Sequence, residues 1–235
     1  MDNLTQKMNA DAHGKFPTIK SNSTLGIIIQ SIYNTYTPFI EALKCHQNPN
    51  LSSEKSLVQE FVIQNDIQLR KYINSIRIDK EYTDNFYGTK GIPDFAFLPL
   101  EEGASHEPLF VVEAKILPAP DNKVQREKEY VIGNNSNGGI ERFKIGKHGI
   151  GQDHCGLLGF INDENTIDTW IKQINLWIID LSCNNPSIWS DEEVLEKIDN
   201  SDQIQSIAKR QSDNVYLHHF FVKLQIINSL LPSSS

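Results

Sequence analysis

Apolar side chains recur at three- and four-residue intervals through Ile167, Trp170, Ile171, Ile174, Trp177, Ile178 and Leu181, which predicts an amphipathic helix over Glu164 to Leu181. Its tryptophans read as core rather than as base-stacking platforms. A second stripe, Leu57, Val58, Phe61, Val62, Leu69, Tyr72, Ile73 and Ile76, predicts a helix over Glu54 to Ile76 with Ser53 as its N-cap. A third, through Ile28, Ile32, Phe39, Ile40 and Leu43, predicts a helix over Ile27 to His46, interrupted or kinked near Pro38. Short runs rich in aromatic and β-branched residues predict strands over Gly91 to Leu98, Leu109 to Lys115, Cys155 to Ile161 and Val215 to Leu224.

The remaining segments are less periodic. Pro99 to Pro108 carries turn residues and reads as the loop of a hairpin. Arg77 to Lys90 is polar, with a short first strand expected near Asn85 to Tyr87. Lys123 to Ile132 reads as a helix, Gly133 to Gly139 as a flexible loop, Glu141 to Lys144 as a short helix, and Asp191 to Arg210 as one or two polar helices. The loop's two glycines, Gly133 and Gly138, have P-loop spacing but lack the following Lys-Ser/Thr, so nucleotide binding is rejected. Residues 1–23 read as a flexible N-terminal arm, 24–230 as a single domain and 231–235 as a C-terminal tail. The element order fits a mixed sheet with helices on both faces.

Strand alternation makes the hairpin chemically interesting. Residues two apart share a face, so Glu113 and Lys115 lie with Leu109 and Val111, and Phe110, Val112 and Ala114 lie on the other side. A carboxylate and an ammonium within a buried run are costly unless paired or metal-bound. Asp94 begins the neighbouring strand and lies beside Glu113 if the hairpin pairs. The two carboxylates and the lysine at one sheet edge are candidates to hold a divalent cation and a water. The bland alternative is a salt bridge at a strand end.

Pro93-Asp94 followed by Glu113-x-Lys115, each in an apolar strand and preceded by an amphipathic helix, resembles the signature of the PD-(D/E)XK nuclease superfamily. The resemblance spans about residues 53–183. It implies an α/β fold: a three-layer α/β/α sandwich with a central mixed β-sheet and a restriction-endonuclease-like core. It also implies Mg²⁺-dependent hydrolysis of phosphodiester bonds in DNA, with Mn²⁺ able to substitute, in a bacterial restriction or phage-defence setting. In that reading Asp94, Glu113 and Lys115 are catalytic. Asp94, Glu113 and the backbone carbonyl of Ala114 ligate the metal ion, and Lys115 orients the water or neutralises developing charge.

Related nucleases place a supporting Glu on the preceding helix. At helical phase Glu54 falls on the apolar stripe and Glu60 on the opposite face, toward solvent, so Glu54 is the better metal-supporting candidate. It reads equally as a favourable first-turn charge. Gln125, Arg142, Lys144 and Lys147 are the candidate nucleic-acid contacts, the last three in the densest basic stretch mid-chain. Each also reads as an ordinary surface residue. His218 and His219 are expected on opposite faces of the last strand, one buried and one in solvent. His148, His154 and Cys155 supply zinc-type ligands without an apparent fourth.

Charge and cysteine content change the picture in two places. A net charge of −8 is unusual for a protein that holds DNA alone, so any basic groove must be local or a protein partner or homo-oligomer must help. Acidity also keeps open the alternative of a catalytically inactive nuclease-fold subunit, acting as a nucleic-acid-binding or protein-interaction module. Three widely spaced cysteines suggest no disulfide framework and fit a cytoplasmic location. No signal peptide or membrane-spanning run is read.

Overall fold

The computed structural model describes residues 15–46, 53–120, 126–198 and 201–224. Among them, helices α1 (Thr24–His46) and α2 (Glu54–Leu69) precede strands β1 (Ile76–Lys80), β2 (Phe95–Pro99) and β3 (Phe110–Leu117). Helix α3 (Gly139–Lys144), strand β4 (His154–Ile161) and helix α4 (Ile167–Asn184) follow. Strands β5 (Glu196–Lys197), β6 (Ile204–Lys209) and β7 (Asn214–Lys223) complete one seven-stranded open sheet in the order β1-β2-β3-β4-β7-β6-β5. The β3–β4 and β4–β7 pairs are parallel and the others antiparallel, so the sheet is mixed.

Two cores lie on the two faces of this sheet. On one, α1 and α2 pack Phe39, Leu57 and Phe61 against Phe95, Phe110 and Phe160. On the other, α4 packs Trp170, Ile174 and Trp177, and α3 packs Ile140 and Phe143, against Val111, Leu157 and Leu217. Strands β3 and β4 are buried at every position, as expected where both faces are covered. A polar clasp joins α1 to α2: the Asn65 amide donates to Ser31 Oγ (3.2 Å) and Thr35 Oγ1 (2.9 Å). Phe160 sits at the aromatic centre, with ring centroids 5.6 Å from Phe39 and 6.1 Å from Phe61. Phe160→Ala should therefore lower unfolding stability by about 3–5 kcal/mol. A urea titration checks this; an unchanged midpoint would mean that the helix layer is not packed as described.

Several sequence expectations change here. Helix α2 ends at Leu69 rather than Ile76. Arg70 to Tyr72 turns, and the isoleucines at 76 and 78 join β1, which pairs with β2. The apolar spacing continued past the helix end because a strand begins almost in phase with it. Consequently the first strand is Ile76–Lys80, and Asn85 to Tyr87 forms a turn whose amides at Phe86 and Tyr87 donate to Asp84 Oδ1. The described part of the Lys123–Ile132 segment forms turns rather than a helix. Asp191 to Arg210 holds a 3₁₀ turn (Asp191–Glu193) and strands β5 and β6 in place of polar helices. Polar residues of β6 face inward: Gln205 and Ser206 are buried, and Ser206 Oγ lies 2.8 Å from His219 Nε2. His218 and His219 do take opposite faces, but both are buried, because β7 is covered on each side. Their neighbours differ: His219 meets Tyr130 and Ser206, and His218 meets His154. Within the expected N-terminal arm, Phe16 meets Tyr216 edge-on and Ile19 packs on the α1–α2 core. Residues 1–14 and 231–235 lie outside the described residues. No helix among the described residues is long and apolar enough to cross a membrane.

Candidate active site

Strand β2 pairs antiparallel with β3 from Phe97↔Phe110 to Phe95↔Val112. Continuing that register brings Asp94 opposite Glu113. Pro93 has no amide N–H, so the ladder cannot extend beyond Asp94 in the ordinary way. The Asp94 side chain takes over as acceptor: its Oδ2 receives the Ala114 N–H at 2.7 Å, between Glu113 and Lys115. The Asp94 carbonyl meanwhile accepts from Glu81 N–H at 2.7 Å. The Pro-Asp dipeptide thus seats a carboxylate on the backbone of the Glu-x-Lys strand.

Glu113 is fully buried and is the hub of the cluster. Its Oε1 accepts from Lys115 Nζ at 2.7 Å and also from Arg142 Nη1 of α3. His148 Nδ1 lies 3.3 Å from Oε2, but the approach is too poorly directed for a hydrogen bond, so both atoms are buried without one. Lys115 Nζ donates further to the Ala114 carbonyl (2.8 Å) and reaches Glu54 Oε1 at 3.4 Å. Glu54 opens α2, where Ser53 accepts the Ser56 amide as N-cap. Glu54, expected to point toward the Asp94–Glu113 pair, meets the cluster through Lys115. Glu60 departs from expectation: it is only 8% exposed and accepts from Gln64 Nε2 rather than facing solvent. Glu60 lies at the margin of the buried stripe, while the flank opposite it, with Ile63 and Ile67, is exposed.

Charges in this cluster sort cleanly. Burial opposes ionisation of Glu113, yet the Lys115 and Arg142 cations outweigh it and hold its pKa at about 2. Burial likewise opposes a charge on Lys115, but Glu113, Glu54 and Asp94 keep it well above the ordinary lysine value. Burial lowers His148 despite the pull of Glu113, so it faces the carboxylate as a neutral imidazole at neutral pH. Burial, reinforced by the nearby Glu113 charge, pushes Asp94 up to about 7, and burial raises Glu54 as well.

The Asp94 shift has a measurable consequence. A folded-state pKa near 7 against an ordinary 3.8 means that the folded protein holds the proton more tightly. Its stability contribution is complete below pH 3.8 and is lost as pH rises through about 7. At roughly 1.4 kcal/mol for each pH unit between the two values, the ceiling is about 4 kcal/mol. Asp94 retains partial solvent contact, so about 2 kcal/mol is the better figure. Asp94→Asn should therefore be more stable than wild type at pH 8 in chelator-containing buffer and lose that advantage near pH 4. Denaturant midpoints across this range check the sign.

Close packing around the hub accounts for two glycines. A Cβ on Gly91 would fall 2.1 Å from the Lys147 carbonyl and 2.3 Å from His148 Cδ2, so only glycine lets the His148 segment approach. A Cβ on Gly139, the first residue of α3, would fall 2.6 Å from the Tyr130 carbonyl.

The expected phosphate contacts do not form a free basic patch. Gln125 lies outside the described residues. Lys144 is buried in an ion pair with Glu193 and donates to the Lys209 carbonyl at 2.9 Å, so it is corrected from nucleic-acid contact to structural ion pair. The physical reason is its turn on α3, which points away from the cluster. Lys147 is half-buried and ties the Ser136 carbonyl (3.2 Å) and Asn137 Oδ1 (3.0 Å) to the end of α3. Arg142 points into the cluster. His148 and Arg142 as partners of Glu113 have no sequence signal beyond their position in the basic stretch after the glycine loop. Cys155 and His154 do not join His148: His154 Nδ1 instead lies 3.1 Å from His218 Nε2.

Among the described residues, no group of three or more His, Cys, Asp or Glu side chains is arranged to hold a metal ion. The carboxylates of Asp94 and Glu113 with the Ala114 carbonyl form a smaller oxygen set. Mg²⁺ is commonly held by one or two carboxylates and retained waters, so this donor set suits it. The buried, unpartnered Glu113 Oε2 is a further point of fit. No family model matches the chain, and no curated protein or solved structure matches it.

Proposed function

We propose that this protein is a Mg²⁺-dependent nuclease that hydrolyses phosphodiester bonds in DNA, built on a restriction-endonuclease-like core. One observation carries the reading: the Asp94 carboxylate rests on the amide between Glu113 and Lys115, so the residues of the PD-(D/E)XK-like signature lie side by side where β2 begins beside β3, inside the sheet. Helices cover both faces of the sheet, in keeping with that core.

Asp94, Glu113 and the Ala114 carbonyl would hold the metal ion. When bound, Mg²⁺ supplies a Lewis acid that acidifies water and offsets charge on the phosphate. Lys115 contributes as a fixed cation. Its carboxylate neighbours keep it protonated, so it orients the attacking water and neutralises developing charge rather than acting as the base. Glu54, 3.4 Å from Lys115 Nζ, steadies that ammonium from the end of α2. Ser53 fixes the first turn that presents Glu54. The assignment to DNA, and to restriction or phage defence, rests on the resemblance of the motif.

A second reading is a nuclease-fold subunit without catalysis. It is favoured by the double occupancy of Glu113 Oε1 by Lys115 and Arg142, which already neutralises the carboxylate, and by the net charge of −8. Supercoiled plasmid incubated with Mg²⁺ or Mn²⁺ separates the two. Nicking or linearisation by wild type, absent in Asp94→Ala, supports the nuclease. Retention of plasmid without any cleavage supports the subunit.

A further inference from the structure

Two cations compete for one oxygen of Glu113, and they are held very differently. Lys115 is 6% exposed at its side chain and has further anchors in Ala114 and Glu54. Arg142 is 21% exposed. Beyond Glu113, its side chain has among the described residues a 3.5 Å contact from Nη2 to Asn137 Oδ1, at the outer limit of hydrogen bonding. Its Nε is buried with no hydrogen-bond partner among the described residues. The backbone beneath it is fixed. Arg142 O accepts from both Lys147 N–H (2.8 Å) and His148 N–H (3.1 Å), and the neighbouring Phe143 is fully buried. A rigid base therefore carries a partly exposed guanidinium, anchored chiefly through Glu113, over the candidate metal oxygens.

We propose that Arg142 is a tethered counter-cation: it neutralises Glu113 while the carboxylate pair lacks a metal ion, gives way when one binds, and then meets the phosphate being cleaved. This rests on the nuclease reading above. A divalent ion at Asp94 and Glu113 brings positive charge against the guanidinium, and the two cannot share the same carboxylate at full strength. Lys115 has nowhere else to go, whereas Arg142 reaches toward solvent from a fixed backbone. A planar guanidinium released beside a divalent ion is well suited to bind two phosphate oxygens. The device also explains how an acidic protein can present positive charge at its site when loaded: the charge is stored inside the cluster rather than displayed on the surface.

The test is Mn²⁺ calorimetry on the full chain without DNA, beside plasmid cleavage at saturating Mn²⁺, for wild type, Arg142→Gln and Arg142→Lys. Removing the competitor should tighten Mn²⁺ binding by Arg142→Gln about tenfold. The same variant should cleave at least about tenfold more slowly once saturated. Arg142→Lys, which keeps the charge but not the fork, should bind Mn²⁺ nearly as wild type does and cleave slowly. Thermal melts confirm that each variant is folded. Mn²⁺ affinity in Arg142→Gln equal to or weaker than that of an active wild type overturns the displacement while leaving the nuclease reading intact. Tighter binding with undiminished cleavage overturns the phosphate role. Absence of Mn²⁺ binding in wild type and both variants, with no cleavage, overturns the metal site itself and this proposal with it.

Discussion

Lys115→Ala is expected to abolish plasmid cleavage while leaving Mn²⁺ binding largely intact, whereas Asp94→Ala is expected to lose both. The split follows from the chemistry of the side chains. An ammonium held protonated by three carboxylates cannot ligate a divalent cation, so its loss removes no donor oxygen. On the nuclease reading it does remove the fixed positive charge expected beside the scissile phosphate, an effect worth on the order of 10²–10³ in rate where such groups are deleted. Asp94 is different, because its carboxylate is one of the two proposed to hold the ion, and it also accepts the Ala114 amide. Calorimetry beside the plasmid assay reads the two effects separately. Equal loss of metal affinity in both variants would mean that Lys115 organises Glu113 and Asp94 rather than acting on water and phosphate. Full activity in Lys115→Ala would make the motif a coincidence and return Glu113 and Lys115 to an ordinary buried ion pair.

The parts of this molecule that are legible from sequence are those whose side-chain period is enforced by a single covered face or a pair of them. Helix α4 repeats its apolar residues because one face meets the sheet, and its predicted extent differs from Ile167–Asn184 by about three residues. The β2–β3 hairpin is legible because aromatic and β-branched residues surround two charges that have no bland place in such a strand. Legibility fails where period and environment disagree. Strand β6 buries Gln205 and Ser206, so its pattern reads as polar, and the hydrogen bond from Ser206 to His219 that permits this burial joins residues distant in sequence. The end of α2 fails for the opposite reason: Tyr72, Ile73 and Ile76 keep helical spacing while the chain has already turned toward β1. At the site, Asp94 rests on the Ala114 amide, and Lys115 contacts both Glu113 and Glu54. Arg142 and His148 do not announce themselves, because what defines them is a contact with Glu113 made across the glycine loop and α3. Lys144 and Lys147, neighbours in the same basic stretch, go elsewhere: Lys144 lies two positions past Arg142 on α3 and so faces another direction, and Lys147 lies beyond the end of the helix.

Glu113→Ala should be the most destabilising change at the site, with Glu113→Gln much milder. Removing one member of a buried ion pair leaves its partner charged and without compensation, typically at a cost of about 3–5 kcal/mol. Here two partners, Lys115 and Arg142, lose the same oxygen. Glutamine keeps the volume and one acceptor, so Lys115 retains a hydrogen bond and its contact with the Ala114 carbonyl. The pH dependence distinguishes this role from that of its neighbour. Glu113 has a folded-state pKa of about 2 against an ordinary 4.5, so its contribution is complete above pH 4.5 and is lost as pH falls toward 2. Asp94 runs the other way, losing its contribution as pH rises from 3.8 through about 7. Wild type in chelator should therefore pass through a stability maximum in weak acid. Glu113→Gln should lose the acid limb of that curve, and Asp94→Asn the alkaline limb. Chemical denaturation at several pH values, with Glu113→Gln and Asp94→Asn beside wild type, resolves the two limbs. An acid limb that persists unchanged in Glu113→Gln would mean that Glu113 is not the ionised hub and that the charge of Lys115 and Arg142 is balanced elsewhere.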